Sequence, residues 1–148
     1  MPSPEDIVRG LAQVSNDWKV LAILWHGYFA VVLVAISLGA RLSQRVAGIV
    51  LILPLVSVSA VAWVAGNPFN GAVFVLGAMA LLFVTAGLPR NTITLGSKPW
   101  IATGSLLAVF GWCYPHFVES GSYVEYLYAA PLGLVPCPTL SMLAGAAR

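Results

Sequence analysis

Few residues in this chain have side chains suited to chemistry, and the most distinctive group is Pro136-Cys137-Pro138-Thr139. Proline on both sides keeps Cys137 out of a regular helix interior. With Pro138 as the first residue of a new helix, Cys137 takes the capping position. There the helix dipole favours a thiolate over a thiol, and a thiolate near the membrane middle is a ligand for soft metals. Possible co-ligands are Met142, five residues further on, Cys113 and His116, three apart or about one helical turn, and His26. Cys137, Cys113, His116, His26 and Met142 therefore form the candidate ligand set for a transition-metal ion, either a borderline-soft divalent cation or Cu(I). The plain structural alternative is a kinked, packed helix holding a small buried cysteine. His26 and His116, one on each of two apolar segments, also meet the minimum for clamping a haem, which adds a haem or quinone redox reading. An enzyme is not expected. No acid falls deep inside an apolar segment, and the chain has no G-x-S-x-G, C-x-x-C or H-E-x-x-H pattern.

The elements that hold these residues follow from composition. Of 148 residues 59% are hydrophobic and 8% charged, with a mean hydropathy of +0.91. A soluble domain carries about 25% charged residues to cover its surface, so the expected solvent is lipid. Seven basic and five acidic residues are scattered, which leaves no footprint for nucleic acid. Two cysteines make no disulfide framework. The first long apolar run begins at Val20 and is about 20 residues long, where a signal-peptide core has about 7–15.

Residues 1–17 predict an amphipathic helix at the membrane interface or a solvated tail. Ser3-Pro4-Glu5-Asp6 supplies a cap, a first-position proline and first-turn acids, and Ile7, Leu11 and Val14 repeat at helical spacing. Residues 18–148 predict an all-α polytopic transmembrane bundle of four to five spans. The expected spans are Val20–Ala40, Val46–Ala65 with Pro54 inside, Phe69–Leu88 and Trp100–Val118. A proline within a span frees a backbone carbonyl and kinks the helix. Tyr126–Ala147 is long enough to span, but Pro131, Pro136 and Pro138 interrupt it. This last span is read as discontinuous, re-entrant, or cut short by the chain end. Broken backbone at membrane depth persists only when buried in protein or lining a cavity.

Arg41 with Arg45, Arg90 with Lys98, and Arg148 alternate with loops free of Lys and Arg. This predicts the N-terminus outside and the C-terminus inside a bacterial inner membrane, with Arg9 and Lys19 partly offset by Glu5, Asp6 and Asp17. Trp18, Trp25, Tyr28, Trp63, Phe69, Trp112, Tyr114, Phe117, Tyr123 and Tyr126 gather toward the outer side as an interfacial belt. Small residues four apart, Ala35 with Gly39, Ala62 with Gly66, Gly104 with Ala108 and Ser141 with Gly145, favour close helix packing.

Three segments resemble a family of bacterial multi-pass membrane proteins built on a domain of unknown function. They are Asn67-Pro68-Phe69-Asn70-Gly71-Ala72 opening a span that contains Phe74 and Gly77, Tyr114-Pro115 closing the next, and Pro131 and Gly133 followed by Pro136-Cys137-Pro138-Thr139. The resemblance implies a helical bundle and no particular activity. The family's residue after the threonine is commonly a second threonine, where this chain has Leu140. Leu134 to Pro138 is also similar to a stretch of nickel and cobalt efflux proteins, whose early-span histidine–aspartate signature is absent here, and more loosely to membrane thiol-redox transporters. The expected function is binding or transport of a small solute, foremost a transition-metal ion. A non-catalytic accessory subunit of a larger membrane complex is the alternative. The expected partners are the bilayer and either other membrane subunits or a second copy of the chain.

Overall fold

A computed structural model describes residues 3–94, 96–114, 122–128 and 130–146. The described residues are helical, with no strand. The α-helices are α1 (Pro4–Asp17), α2 (Lys19–Ser37), α3 (Gln44–Val64), α4 (Pro68–Gly87), α5 (Lys98–Trp112) and α6 (Pro136–Ala146), with a 3-10 turn over Tyr123–Leu127 before α6. Helices α2, α3 and α4 have 19, 21 and 20 residues and are long and apolar enough to cross a membrane. At about 1.5 Å per residue they match a hydrocarbon core of about 30 Å. Helix α5, with 15 residues, is about 22 Å long, and α6, with 11, about 16 Å.

The helix ends are set locally. Ser3 caps α1 in a reciprocal box with Asp6. The Ser43 hydroxyl accepts from the Val46 N–H at the start of α3. Helix α3 ends where Gly66 turns to φ +73°, a left-handed conformation open to glycine. The Gly66 and Asn67 N–H groups then donate to the carbonyls of Trp63 and Ala62. Asn67 immediately caps α4 by accepting from the Asn70 N–H, with Pro68 at the first helical position. The α3–α4 hairpin therefore turns within three residues.

Proline 54 lies buried within α3. Its missing N–H leaves the Val50 carbonyl without its helical donor, and the Tyr28 hydroxyl donates to that carbonyl at 2.9 Å. Close approaches tie the helix pairs together. The Ser59 hydroxyl of α3 donates to the Gly71 carbonyl of α4 at 2.7 Å. On α5, Gly104, Ala108 and Gly111 meet α6 backbone to backbone. A Cβ on Gly145 would stand 2.6 Å from the Gly104 carbonyl oxygen, and one on Gly111 would stand 2.7 Å from that of Pro138. The small-residue spacing on α5 and α6 thus marks a real helix contact, whereas Gly39 and Gly66 are left-handed turn glycines with nothing within 4 Å of a Cβ placed there.

One core cluster joins Phe29, Leu55, Val58, Phe74 and Ala78 to Leu132 and Met142. A second joins Ala22 and Val61 to Leu134 and Val135, covered by Leu11 and Val14 of α1. The N-terminal helix therefore packs on the bundle by its C-terminal half and leaves Ile7 and Val8 exposed. Outward-facing positions of α4 carry large apolar groups, with Phe69 75% and Phe83 85% exposed. Such surface suits lipid rather than water.

The two ends of the bundle are differently built. At one end the α2–α3 and α4–α5 loops pair. Ser43 and Thr92 form an antiparallel bridge, and the Gln44 and Ile93 N–H groups donate to the carbonyls of Asn91 and Leu42. Arg45 Nε donates to the Leu88 carbonyl at 2.6 Å. At the other end Lys19 pairs with Glu125 at 2.7 Å, and Trp112 Nε1 donates to the Leu127 carbonyl at 2.8 Å.

Candidate functional site

The stretch leading into α6 is irregular yet buried. Ala130, Leu132 and Leu134 are at most 3% exposed. Its turn closes on the Pro131 carbonyl, which accepts from the N–H groups of Leu134 and Val135. Gly133 stands at φ +69°, and the Trp25 indole fills the space any Cβ there would need. Glycine is required twice over, by conformation and by contact. Trp25 is held in turn by its Nε1–H, which donates to the Ser57 hydroxyl at 2.9 Å.

Thr139 fastens this turn to the helix. Its hydroxyl donates to the Val135 carbonyl at 2.7 Å and accepts from the Gly133 N–H at 2.9 Å. Thr139 is fully buried, so both bonds are made out of contact with solvent.

Helix α6 starts at Pro136, two residues before the start expected at Pro138. Both prolines fit because the first turn of a helix has no internal acceptors for its N–H groups. Cys137 consequently sits in the first turn of α6, not at its cap. Its thiol is exposed and lies in side-chain hydrogen-bond contact with the Tyr114 hydroxyl. Tyr114 follows the end of α5, which Gly111 seats against Pro138 and Met142 of α6.

The other candidate ligands are placed as follows. His26 is 4% exposed. Its Nδ1 faces the Ala22 carbonyl at 2.9 Å, and its Nε2 faces the Trp112 carbonyl at 3.4 Å. The imidazole also meets the Trp112 ring edge-on, with centroids 5.0 Å apart. His26 thereby joins α2 to the C-terminal end of α5, where helix carbonyls lack intrahelical donors. Cys113 caps α5 and is exposed. Met142 is fully buried in the main core cluster, while Cys137, on the same helix, faces outward. His116 lies outside the described residues. Among the described residues, no three His, Cys, Asp or Glu side chains come together as a metal-binding group.

The interfacial-belt residues divide by position. Trp63, Phe69 and Tyr123 are exposed, whereas Trp25 and Tyr28 pack on the main core cluster. Phe117 lies outside the described residues. Tyr114, which meets Cys137, is not among the ligands expected from the sequence, whereas Thr139, which fastens the buried turn, belongs to the Pro136-Cys137-Pro138-Thr139 group. Tyr114-Pro115 ends one of the resemblance segments, which was the signal available for Tyr114.

No family model, curated protein or solved structure matches the chain.

Proposed function

We propose that this protein is a multi-pass inner-membrane protein, N-terminus outside, that binds or moves a small solute, foremost a soft transition-metal ion at Cys137. In this reading α5 is a fourth span, and residues 130–146 form a discontinuous fifth. One observation carries it: an irregular stretch buried among α2, α3 and α6 delivers an accessible thiol, with the Tyr114 hydroxyl beside it. Non-helical backbone enclosed by protein is how many transporters build solute sites at depth. A cysteine sulfur is the ligand type that soft or borderline-soft cations take. The resemblance to bacterial multi-pass membrane proteins supports the multi-pass bundle alone, and the short likeness of Leu134 to Pro138 to nickel and cobalt efflux proteins supports the metal.

The test is elemental analysis of purified, detergent-solubilised protein beside Cys137→Ser, each loaded with copper, zinc, nickel or cobalt. Near-stoichiometric metal in the parent and its loss in a folded Cys137→Ser protein are expected. Equal metal in both, or none in either, overturns the metal reading.

The alternative reading, an accessory subunit of a larger membrane complex, is supported by the apolar surface on α4 and α5. Phe69, Phe83, Trp100 and Phe110 are each more than half exposed. Copurification of a distinct membrane protein at fixed stoichiometry would favour it.

A further inference from the structure

The paired loops at the basic end of the bundle border a half-open cavity of about 330 Å³. Its wall is apolar, made by Phe29 and Val32 of α2, Leu51 of α3 and Leu81 of α4, and Gln44 and Thr94 stand among its lining residues. Thr85 also lines it. That residue is 3% exposed, and its hydroxyl has no hydrogen-bond partner. A helical threonine ordinarily bonds back to the carbonyl four residues earlier, and this one does not. Gly48 makes room for it, since a Cβ at Gly48 would overlap the Thr85 hydroxyl. The hydroxyl is packed against Gly48 and is not reached from the cavity, so Thr85 contributes closely packed wall rather than a donor.

Charge around the cavity specifies the occupant. The two loops and the helix ends beside them carry Arg41, Arg45, Arg90 and Lys98, and the chain has no Asp or Glu between Asp17 and Glu119. Arg45 is pinned at the rim by the bond from its Nε to the Leu88 carbonyl, and Leu88 itself lines the cavity. That bond uses one of the five guanidinium N–H donors. Thr85 lies about one turn of α4 below Leu88, between the cationic rim and the apolar wall.

We propose that this cavity binds one anionic glycerophospholipid. The cationic loops hold its phosphate, and one acyl chain runs along Phe29, Val32, Leu51 and Leu81. Anionic lipids are drawn to such basic pockets between helices. The proposal rests on the chain lying in a bilayer and is independent of Cys137.

The test is native mass spectrometry of the full chain in detergent, titrated with phosphatidylglycerol, with phosphatidylcholine of the same chains, and with oleate. One phosphatidylglycerol per chain is expected, retained in preference to phosphatidylcholine. Arg45→Gln lowers phosphatidylglycerol retention about fivefold, the effect of one cation near an anionic headgroup, and narrows the preference. Ala47→Phe, which fills the cavity, removes both phospholipids. Equal retention of the two phospholipids by the parent, or full retention by Ala47→Phe, overturns the proposal. Displacement of phosphatidylglycerol by equimolar oleate overturns it in favour of a free fatty acid. Recovery of the chain in carbonate-washed membranes checks the bilayer reading separately. Lost lipid selectivity with that recovery intact overturns the lipid site alone.

Discussion

Tyr28 shows how one side chain compensates for a backbone defect in another helix. Pro54 removes the N–H that would reach the Val50 carbonyl, and the Tyr28 hydroxyl takes its place at 2.9 Å. A carbonyl left unpaired away from water costs roughly 1–3 kcal/mol. Tyr28→Phe is therefore expected to destabilise the protein by that amount in thermal unfolding in detergent. In a Pro54→Ala background the new N–H of residue 54 can pair with Val50, and the cost of Tyr28→Phe is expected to fall by more than half. An unchanged cost in the double variant would show that Tyr28 acts through some other contact. Thr139 is a second residue of this kind. Its single hydroxyl donates to the Val135 carbonyl and accepts from the Gly133 N–H, so it holds the first turn of α6 to the buried turn before it.

Among the elements, the α5–α6 contact depends on the absence of side chains. A Cβ on Gly111 would stand 2.7 Å from the Pro138 carbonyl oxygen and 3.0 Å from the Met142 nitrogen. Neither backbone atom can move without shifting α6. Gly111→Ala is expected to destabilise by roughly 1–3 kcal/mol, the usual range for overpacking, despite the better helix propensity of alanine. Gly10 on α1 is the control, because a Cβ there meets nothing within 4 Å. Gly10→Ala is expected to stabilise by roughly 0.5–1 kcal/mol. Melting temperatures that moved in the same direction for both variants would show that propensity, not the crossing, sets the response. The same contact bears on Cys137, because Gly111 seats the end of α5 and so sets where Tyr114 meets the thiol.

At the scale of the whole molecule, the two ends are chemically distinct. One end joins the cationic α2–α3 and α4–α5 loops by backbone pairing, and the other joins Lys19 to Glu125. With basic loops on the cytoplasmic side, a cysteine placed at Glu5 in a background lacking Cys113 and Cys137 is expected to react with a membrane-impermeant maleimide on intact cells. One placed at Asn91 is expected to react only after permeabilisation. The reverse pattern would invert the orientation and move the proposed lipid site to the opposite leaflet.

The sequence by itself determined the helical class, the three long apolar helices to within about three residues at each end, and the capped start of α1. These features depend on short-range chemistry. A cap, a turn glycine or a first-position proline acts over three or four residues, and an apolar run is visible without knowledge of its neighbours. Tertiary structure decided which face of each helix turns inward. The long helices are apolar nearly all round, because lipid and protein core favour the same side chains, so no stripe marks the packed side. The partners that matter are remote in the chain: Tyr28 and Val50 are 22 residues apart, and His26 and Trp112 are 86 apart. The exposed Cys137 thiol beside Tyr114, the unpaired Thr85 hydroxyl against Gly48 and the buried turn at Gly133 all arise from that packing. Only the folded bundle brings those groups together, because hydrogen bonds and steric contacts act over a few ångströms of space rather than along the sequence.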